Sequence, residues 1–272
     1  MNDFSCLAER LRAEPAVLVG VERVDGSGPR EVGAWMAVFA TGQVGTIGGG
    51  QLEWQMLAHG RAVLAGQIPL QAQHRCALGP SLGQCCGGVV HLVCQAVSVQ
   101  DVPRLQSQLR QGHWPVALFG GGHVGQALVQ ALLPLPFSIT WVDSRDGIFP
   151  AWSSSEGFAQ VQCEHSDPVQ RAVHDLVPGS AVLIMSFSHA EDLDVVAECL
   201  LRQRTQGDLR WVGLIGSQTK WASFRHRLEA RGFLAAELDA ITCPIGLPGI
   251  AGKQPAVIAA SVVAQLLQVF AL

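Results

Sequence analysis

The sequence is poor in charged residues, and this argues against several classes of protein. Only 15% of the 272 residues are Asp, Glu, Lys or Arg, the formal net charge is −4, and no run of Lys or Arg occurs. A general nucleic-acid binder needs a basic excess to neutralise phosphates, so we expect no nucleic acid as a partner. With 49% hydrophobic residues and a length that suffices for two domains, the composition is that of a globular protein with a well-buried core.

A secretory or membrane-spanning segment is not evident either. The first residues carry charges from Asp3 onward and contain no apolar stretch of the kind found in a signal peptide. The longest apolar stretch is 255–272, but Gln265 and Gln268 interrupt it, and a bilayer span needs about 20 residues. We therefore expect a cytoplasmic protein without a membrane anchor, in which this stretch forms a buried helix.

Cysteine pairs with the spacing of metal or redox sites are also missing. Eight cysteines are present, but no two form a CxxC pair, and no second Cys or His pair has zinc-finger spacing. A chain of this length does not need a disulfide framework, so we expect free thiols in a reducing compartment. Most of these cysteines should be small buried residues.

The adjacent Cys85 and Cys86 are different, because glycines flank them in LGQCCGG and glycine-rich loops tend to lie at the surface. An exposed thiol beside backbone N–H groups can have a lowered pKa and bind a soft metal. Adjacent cysteines are poorly placed to hold one metal together. Cys86 is therefore the candidate metal ligand, Cys85 is less favoured, and the alternative is that both thiols pack beneath the loop.

Apolar runs between turns predict an α/β protein with two domains. We place a small N-terminal α/β domain at 1–100, a linker at 101–114 and a second domain at 115–272. In the first domain the predicted strands are 16–24, 34–40, a short run to 47, 70–77 and 89–97, and the predicted helix is 51–64.

In the second domain, strands alternate with helical stretches, which is typical of a doubly wound parallel sheet of the Rossmann type. The predicted strands are 116–119, 138–143, 158–163, 181–187 and 211–215.

A glycine motif follows the first of these strands. Gly120, Gly122 and Gly125 form GxGxxG, with His123 inside it, directly after a strand and at the start of a helix. In this context the first glycine permits a tight turn, the second lets backbone approach a phosphate, and the third lets the helix pack on the strand. The helix N-terminus then offers N–H groups to an anion.

An acidic residue ends the next strand. Asp143 lies 23 residues after Gly120, where such sheets place a carboxylate that binds a ribose diol. Arg145 follows it and can pair with a phosphate instead. The alternative is a Rossmann-like fold that has lost its ligand.

Two further strands are followed by polar side chains. His189 and Asp192 come after the strand that ends at 187, and Ser217 and Lys220 come after the strand that ends at 215. Doubly wound sheets bind ligands at the carboxyl ends of their strands, so these side chains should face the same crevice.

Three clusters with glycine occur in the first domain, and LGQCCGG is one of them. In another, Arg30 follows a Gly-Ser-Gly-Pro turn and carries a guanidinium suited to phosphate. The third is Gly48-Gly49-Gly50, a second potential anion cradle at a helix start. Glu53 would compete with an anion there, so it either caps the helix or accepts hydrogen bonds from a heterocyclic ring.

Taken in order, the motifs resemble the xanthine dehydrogenase accessory protein family of the XdhC type. The resemblance covers about 17–267 and is carried by GSGPREVGAWMAV, GTIGGGQLEWQ, LGQCCGGVV, LFGGGHVGQAL, WVDSR, VGLIGSQTK and CPIGLPGIAGKQPAVIAASVVAQLL. Each motif alone is moderately specific, and the ordered set is highly specific.

The resemblance implies a non-catalytic chaperone with a place in purine catabolism. Such a protein binds molybdenum cofactor (molybdopterin), protects it while a cysteine desulfurase sulfurates it, and delivers it to the molybdenum subunit of apo-xanthine dehydrogenase. A homo-oligomer is expected. The predicted cofactor-binding residues are Gly120, Gly122, His123, Gly125, Asp143, Arg145, Arg30, Gly48, Gly49, Gly50, Glu53, Ser217 and Lys220.

Two other functions stay open at this point. An NAD(P)-dependent oxidoreductase would use the glycine motif and Asp143, with His123, His189 or Lys220 as the only plausible proton donors. A docking scaffold with a vestigial Rossmann half would use none of them. We find no catalytic triad or carboxylate dyad in the sequence.

Overall fold

Two units, Met1–Gln111 and Gly112–Leu272, make up the chain in a computed structural model. The structure describes residues 3–78, 87–109, 113–154 and 160–271.

The first unit is built on an antiparallel sheet of five strands in the order β3-β2-β1-β5-β4. Its strands are β1 (Ala16–Asp25), β2 (Trp35–Val38), β3 (Gln43–Gly45), β4 (Gln73–Ala77) and β5 (Val89–Val97). Its helices are α1 (Asp3–Leu11), α2 (Gly50–Leu64) and α3 (Val102–Gln108).

Both faces of this sheet are covered, which explains why β1 is apolar without interruption at its start. Successive side chains of a strand point to opposite faces. Val17 and Val19 therefore pack in the cluster with Leu52 and Met56 of α2, and Leu18 packs on the other face. The remaining buried residues of that second cluster include Leu7, Leu11 and Leu105, from α1 and α3.

The boundary between the two units, after Gln111, falls inside the linker that we predicted at 101–114, although much of this range is regular structure. Residues 102–108 form α3, and its Leu105 is fully buried in the core of the first unit. Pro103, which we interpreted as a boundary signal, lies in the first turn of the helix, where the missing N–H costs nothing. At the other end of the range, β6 already begins at Trp114.

The second unit contains a parallel sheet of six strands in the order β11-β10-β9-β6-β7-β8. The strands are β6 (Trp114–Phe119), β7 (Phe137–Asp143), β8 (Val161–His165), β9 (Ala181–Ile184), β10 (Trp211–Leu214) and β11 (Ile241–Thr242). The helices are α4 (His123–Leu132), α5 (His189–Thr205), α6 (Gln218–Ala230), α7 (Ala235–Leu238) and α8 (Pro255–Ala271), and a 3-10 helix (Val169–Asp175) precedes β9.

This sheet is doubly wound, which confirms the predicted fold class. Helices α5 and α6 contribute to the core on one face, and α4 and α8 contribute to the core on the other. The chain runs from β6 outward through β7 and β8, then returns to β9 on the other side of β6 and runs outward through β10. Strands β6 and β9 therefore form the switch point, where such sheets bind ligands at their carboxyl ends.

The apolar stretch near the end of the sequence forms α8, a buried helix as predicted. Ala259, Val262 and Leu266 are almost fully buried against the core that includes α4. Within the described ranges, no helix is both long and apolar enough to cross a membrane.

Candidate functional site

The first and third glycines of the GxGxxG motif are required by packing at the switch point. Gly120 has a φ of 129°, and a Cβ on it would overlap the carbonyl oxygen of Met185, which directly follows β9. A Cβ on Gly125 would overlap the carbonyl oxygen of Gly120, so α4 lies directly on the turn that follows β6. These two residues therefore shape the crevice by letting backbone segments approach closely.

Gly122 has a different role, because the space beside it is open. Apart from Gly122 itself and its two chain neighbours, no atom of the described residues lies within 4 Å of the position that a Cβ would occupy. Gly122 is the N-cap of α4 and has no side chain to cap it, and the first helical residue, His123, is exposed. The N–H groups of this helix start are thus accessible to an anionic ligand.

Asp143 is buried, and its carboxylate already has four donors. One oxygen accepts hydrogen bonds from the backbone N–H of Gly121 (2.6 Å) and from Nη2 of Arg145 (2.8 Å). The other accepts from the backbone N–H and from Nε of Arg145, both at 2.9 Å. Burial raises the pKa of Asp143, but these hydrogen bonds outweigh it and lower the pKa below the usual value. A carboxylate has about four acceptor positions. A ribose would have to displace one donor, so ribose binding by Asp143 stays a prediction.

Arg145 lies between the Asp143 carboxylate and an exposed aromatic ring. Its guanidinium carbon lies 4.9 Å from the centre of the Phe187 ring, which is 60% exposed. We predicted 181–187 as strand, but β9 ends at Ile184, so Phe187 lies beyond the carboxyl end of the strand. The sequence analysis missed Phe187 because its apolar side chain was read as part of the strand.

A buried ion pair connects the first turns of α5 and α6, the helices that follow β9 and β10. Asp192 is 2% exposed, and one of its oxygens lies 2.6 Å from Nζ of Lys220, which also donates to the carbonyl oxygen of Ile215 at 3.0 Å. The other oxygen accepts from the N–H and the hydroxyl of Ser186, both at 2.8 Å. We missed Ser186 in the sequence because it fell inside the predicted strand 181–187.

These residues line an open cavity of about 410 Å³ at the carboxyl edge of the sheet. The lining residues are Ser186, Phe187, His189, Asp192, Ile215, Gly216, Ser217 and Lys220. The structure thus brings together the four side chains that we predicted to follow the two strands. The volume of this cavity is within the range of small-molecule binding sites. A second open cavity, of about 450 Å³, lies between the loop that follows β11 and the first turns of α8.

In the first unit, the carboxylate of Glu53 occupies the loop at Gly48-Gly49-Gly50, where we predicted that an anion could bind. Its carboxylate accepts hydrogen bonds from the N–H groups of Ile47 and Gly49 and from the side chains of Thr46 and Gln43. Burial raises the pKa of Glu53, but these hydrogen bonds outweigh it and lower the pKa. The N–H of Gly48 has an internal acceptor too, the Thr46 hydroxyl. Anion binding at Gly48-Gly49-Gly50 stays a prediction, since an anion would have to displace the internal acceptors of the Gly48 and Gly49 N–H groups.

Gly48 and Gly88 both lie against the Gly-Ser-Gly-Pro turn that precedes Arg30. A Cβ on Gly48 would overlap Pro29, and a Cβ on Gly88 would overlap the carbonyl oxygen of Ser27. Arg30, next to Pro29, pairs with Glu31 at 3.0 Å, and this hydrogen bond raises its pKa while burial opposes the rise. Binding of phosphate by Arg30 stays a prediction, since the guanidinium would have to leave Glu31.

Cys85 and Cys86 lie outside the described residues, so their predicted role as metal ligands stays a prediction. Within the described ranges, no three His, Cys, Asp or Glu side chains are grouped so that they could hold a metal ion.

Comparisons with known proteins identify the family. The model of the XdhC Rossmann domain matches residues 116–266, more than half of the chain, and the model of the XdhC and CoxI family matches residues 10–73. The uncharacterized protein YqeB of Escherichia coli (strain K12) is 30% identical over 279 residues, which cover 99% of this chain and 46% of YqeB. The chain thus spans about half the length of this curated relative.

A solved structure shares the fold. The crystal structure of a xanthine dehydrogenase from Bacillus halodurans is 21% identical and superposes with a TM-score of 0.76, covering 100% of this chain and 96% of that chain. The family model that covers more than half of the chain gives the assignment: the chain belongs to the XdhC family.

Proposed function

We propose that the protein binds molybdenum cofactor, protects it during sulfuration and delivers it to apo-xanthine dehydrogenase. The observation that carries the proposal is the open backbone at Gly122, at the uncapped start of α4 and at the switch point of the sheet. The cofactor is a pterin with a phosphate and a molybdenum-bound dithiolene. A phosphate fits the N–H groups of this helix start, and Arg145 lies at the same edge of the sheet.

The proposed partners follow from this role. They are a cysteine desulfurase, which supplies sulfur to the bound cofactor, the molybdenum subunit of the apo-enzyme, which receives it, and a second copy of this chain. Family membership supports the link to xanthine dehydrogenase maturation. The place in purine catabolism and the cytoplasmic location stay predictions from the sequence.

An NAD(P)-dependent oxidoreductase is less well supported than the chaperone. Such an enzyme would use Asp143 for the ribose diol, but four donors from Arg145 and Gly121 already satisfy that carboxylate. The chaperone needs no general acid or base. Its own residues bind, orient and release the cargo, and the chemistry of molybdenum belongs to the enzyme that receives it.

Equilibrium dialysis with the authentic cofactor tests the proposal. Gly122→Val fills the open space at the helix start and should weaken binding at least about tenfold, a loss of about 1.4 kcal/mol. Gly20→Val is the matched control, because the Cβ position of Gly20 is equally open beyond its chain neighbours, and Gly20 belongs to β1. If folded Gly122→Val retains wild-type affinity for cofactor and for NAD(P)H, this crevice is not the site.

A delivery assay separates the chaperone from the oxidoreductase. Mixing the protein with cofactor, desulfurase and apo-xanthine dehydrogenase should raise the fraction of active dehydrogenase in proportion to the protein added. Oxidation of NAD(P)H with a small substrate by this protein alone would favour the oxidoreductase instead.

A further inference from the structure

We propose that the cavity beside Lys220 binds the planar heteroaromatic ring of the ligand, and that its phosphate binds separately at Gly122. This inference rests on the proposed function and adds an orientation to it, because it assigns the pterin and the phosphate to different halves of one crevice. Four observations carry it: the charge balance of the cavity, its polar groups, its exposed aromatic ring, and the capping of the helices around it.

The cavity attracts an anion weakly, because its buried charges cancel. Nζ of Lys220 lies 2.6 Å from a carboxylate oxygen of Asp192, and the two side chains are 12% and 2% exposed. An anion near this pair would feel the repulsion of Asp192 almost as strongly as the attraction of Lys220. The site therefore favours a neutral ligand that can form hydrogen bonds over a free phosphate.

The polar groups of the cavity match the edge of a heterocycle. Within the described part of the chain, Lys220 uses two of its three N–H donors, one for Asp192 and one for the carbonyl oxygen of Ile215. The Ser217 hydroxyl accepts from the backbone N–H of Lys220 and has a hydrogen to donate. His189, in the same lining, can donate or accept through its ring nitrogens. A pterin edge carries both donors and acceptors, so it can use such a mixed set.

Phe187 supplies an aromatic surface for the ring. It lines the cavity and is 60% exposed even with the guanidinium of Arg145 beside it. An exposed phenylalanine gains nothing from water, whereas an aromatic heterocycle stacks favourably on such a side chain.

Helix capping directs the phosphate away from this cavity. Three helices, α4, α5 and α6, begin shortly after β6, β9 and β10. The N-caps of α5 and α6 are Ser188 and Ser217, and both accept a hydrogen bond from a backbone N–H of their own helix. The N-cap of α4 is Gly122, which has no side chain, so the N–H groups of α4 stay open to an anion.

Fluorescence titration with an unphosphorylated pterin, 6-hydroxymethylpterin, tests the ring assignment. Phe187→Ala should weaken its binding about tenfold, since one stacking partner is lost, and Phe187→Tyr should retain binding. Leu234→Ala is the matched control, because Leu234 is an apolar residue of the same unit that is 67% exposed. It should leave pterin affinity unchanged.

Binding of inorganic phosphate tests separately whether the charges of Lys220 and Asp192 cancel. Asp192→Asn removes the compensating charge, so phosphate binding at Lys220 should increase severalfold over wild type, as measured by dialysis of phosphate. Circular dichroism checks that the variant is folded.

The ring assignment is overturned if wild-type protein that binds the cofactor binds no free pterin, or if Phe187→Ala binds pterin as wild type does. It is also overturned if wild-type protein binds inorganic phosphate in this cavity and Lys220→Met abolishes that binding. In each of these cases, the dialysis of cofactor with Gly122→Val still tests the proposed function independently. If wild-type protein binds no cofactor at all, the proposed function itself is contradicted.

Discussion

Four donors surround the carboxylate of Asp143, and they make its negative charge part of the stability of the second unit. Hydrogen bonds from Arg145 and from the N–H of Gly121 hold its pKa below the usual value, although burial acts in the opposite direction. A carboxylate with a lowered pKa stabilises the folded state at every pH above its unfolded pKa of about 3.9. This contribution disappears as the pH falls through the lower, folded pKa.

Asp143→Asn should therefore lower the free energy of unfolding by about 2 kcal/mol at pH 7, the size of a hydrogen bond to a charged group. The difference from wild type should be constant above about pH 5 and should shrink below about pH 4. Urea denaturation at several pH values measures it. Asp146→Asn is the control, because Asp146 is 96% exposed and should not change the pH profile. A difference that is as large at pH 3 as at pH 7 would contradict the titration argument.

At the residue scale, the sequence predicts where polar groups lie better than what they bind. Strand ends and glycine spacing predicted that His189, Asp192, Ser217 and Lys220 would meet at one edge, and they do. The internal partners of Asp143 and Glu53 were not predictable, because a hydrogen bond depends on the direction of each side chain in space. Both carboxylates turned out to be used by nearby N–H groups.

At the scale of elements, Arg202 holds the end of α5 to its neighbours. Its side chain is 3% exposed, pairs with Asp208 at 2.7 Å, and donates to the carbonyl oxygens of Val173 and Leu176 at 2.6 and 2.7 Å. These acceptors lie in or just after the 3-10 helix, and Asp208 precedes β10. One guanidinium thus satisfies groups from three segments, which an ammonium cannot do in the same geometry.

Arg202→Lys should accordingly destabilise the protein by about 3 kcal/mol, because it leaves buried acceptors and part of the charge of Asp208 unsatisfied. Arg204→Lys, in the same helix turn, is the matched control, because Arg204 pairs with Glu237 at the surface. The midpoint of thermal unfolding of this variant should barely differ from that of wild type. Differential scanning calorimetry measures both variants. Equal losses of stability for the two variants would show that the buried guanidinium of Arg202 is not the cause.

Elements that differ from their prediction do so for local reasons. Helix α3 was read as a linker because Pro103 and polar residues dominate it, yet a single buried leucine, Leu105, ties it to the core. Strand β11 has only two residues, Ile241 and Thr242, too few for a periodic pattern. Strands β1, β6, β7 and β10 were predicted to within two residues at each end, because burial leaves a nearly continuous apolar run. Strand β9 was predicted three residues too long.

At the scale of the whole molecule, each unit has its own hydrophobic core. The buried clusters of the first unit draw on residues up to Leu105, and those of the second unit begin at Val116. A unit that buries its own core should fold by itself.

We expect a fragment of residues 112–272 to fold in isolation. It contains the complete six-stranded sheet and α8, so its far-UV circular dichroism should show mixed helix and strand, and its thermal unfolding should be cooperative. Ending the fragment at residue 254 gives the informative control, because it removes α8 and should abolish cooperative unfolding. An unstructured 112–272 fragment would show that the second unit depends on the first.

The contacts of Asp192 with Ser186 and Lys220 also affect the rates at which a ligand could bind and dissociate. Because they fasten the loop after β9 to the start of α6 before any ligand arrives, little conformational entropy remains to be lost on binding. A preorganised wall of this kind does not have to close over its ligand and then reopen. Exchange at this edge is then limited by the contacts of the ligand itself, which fits the proposed role in cofactor delivery.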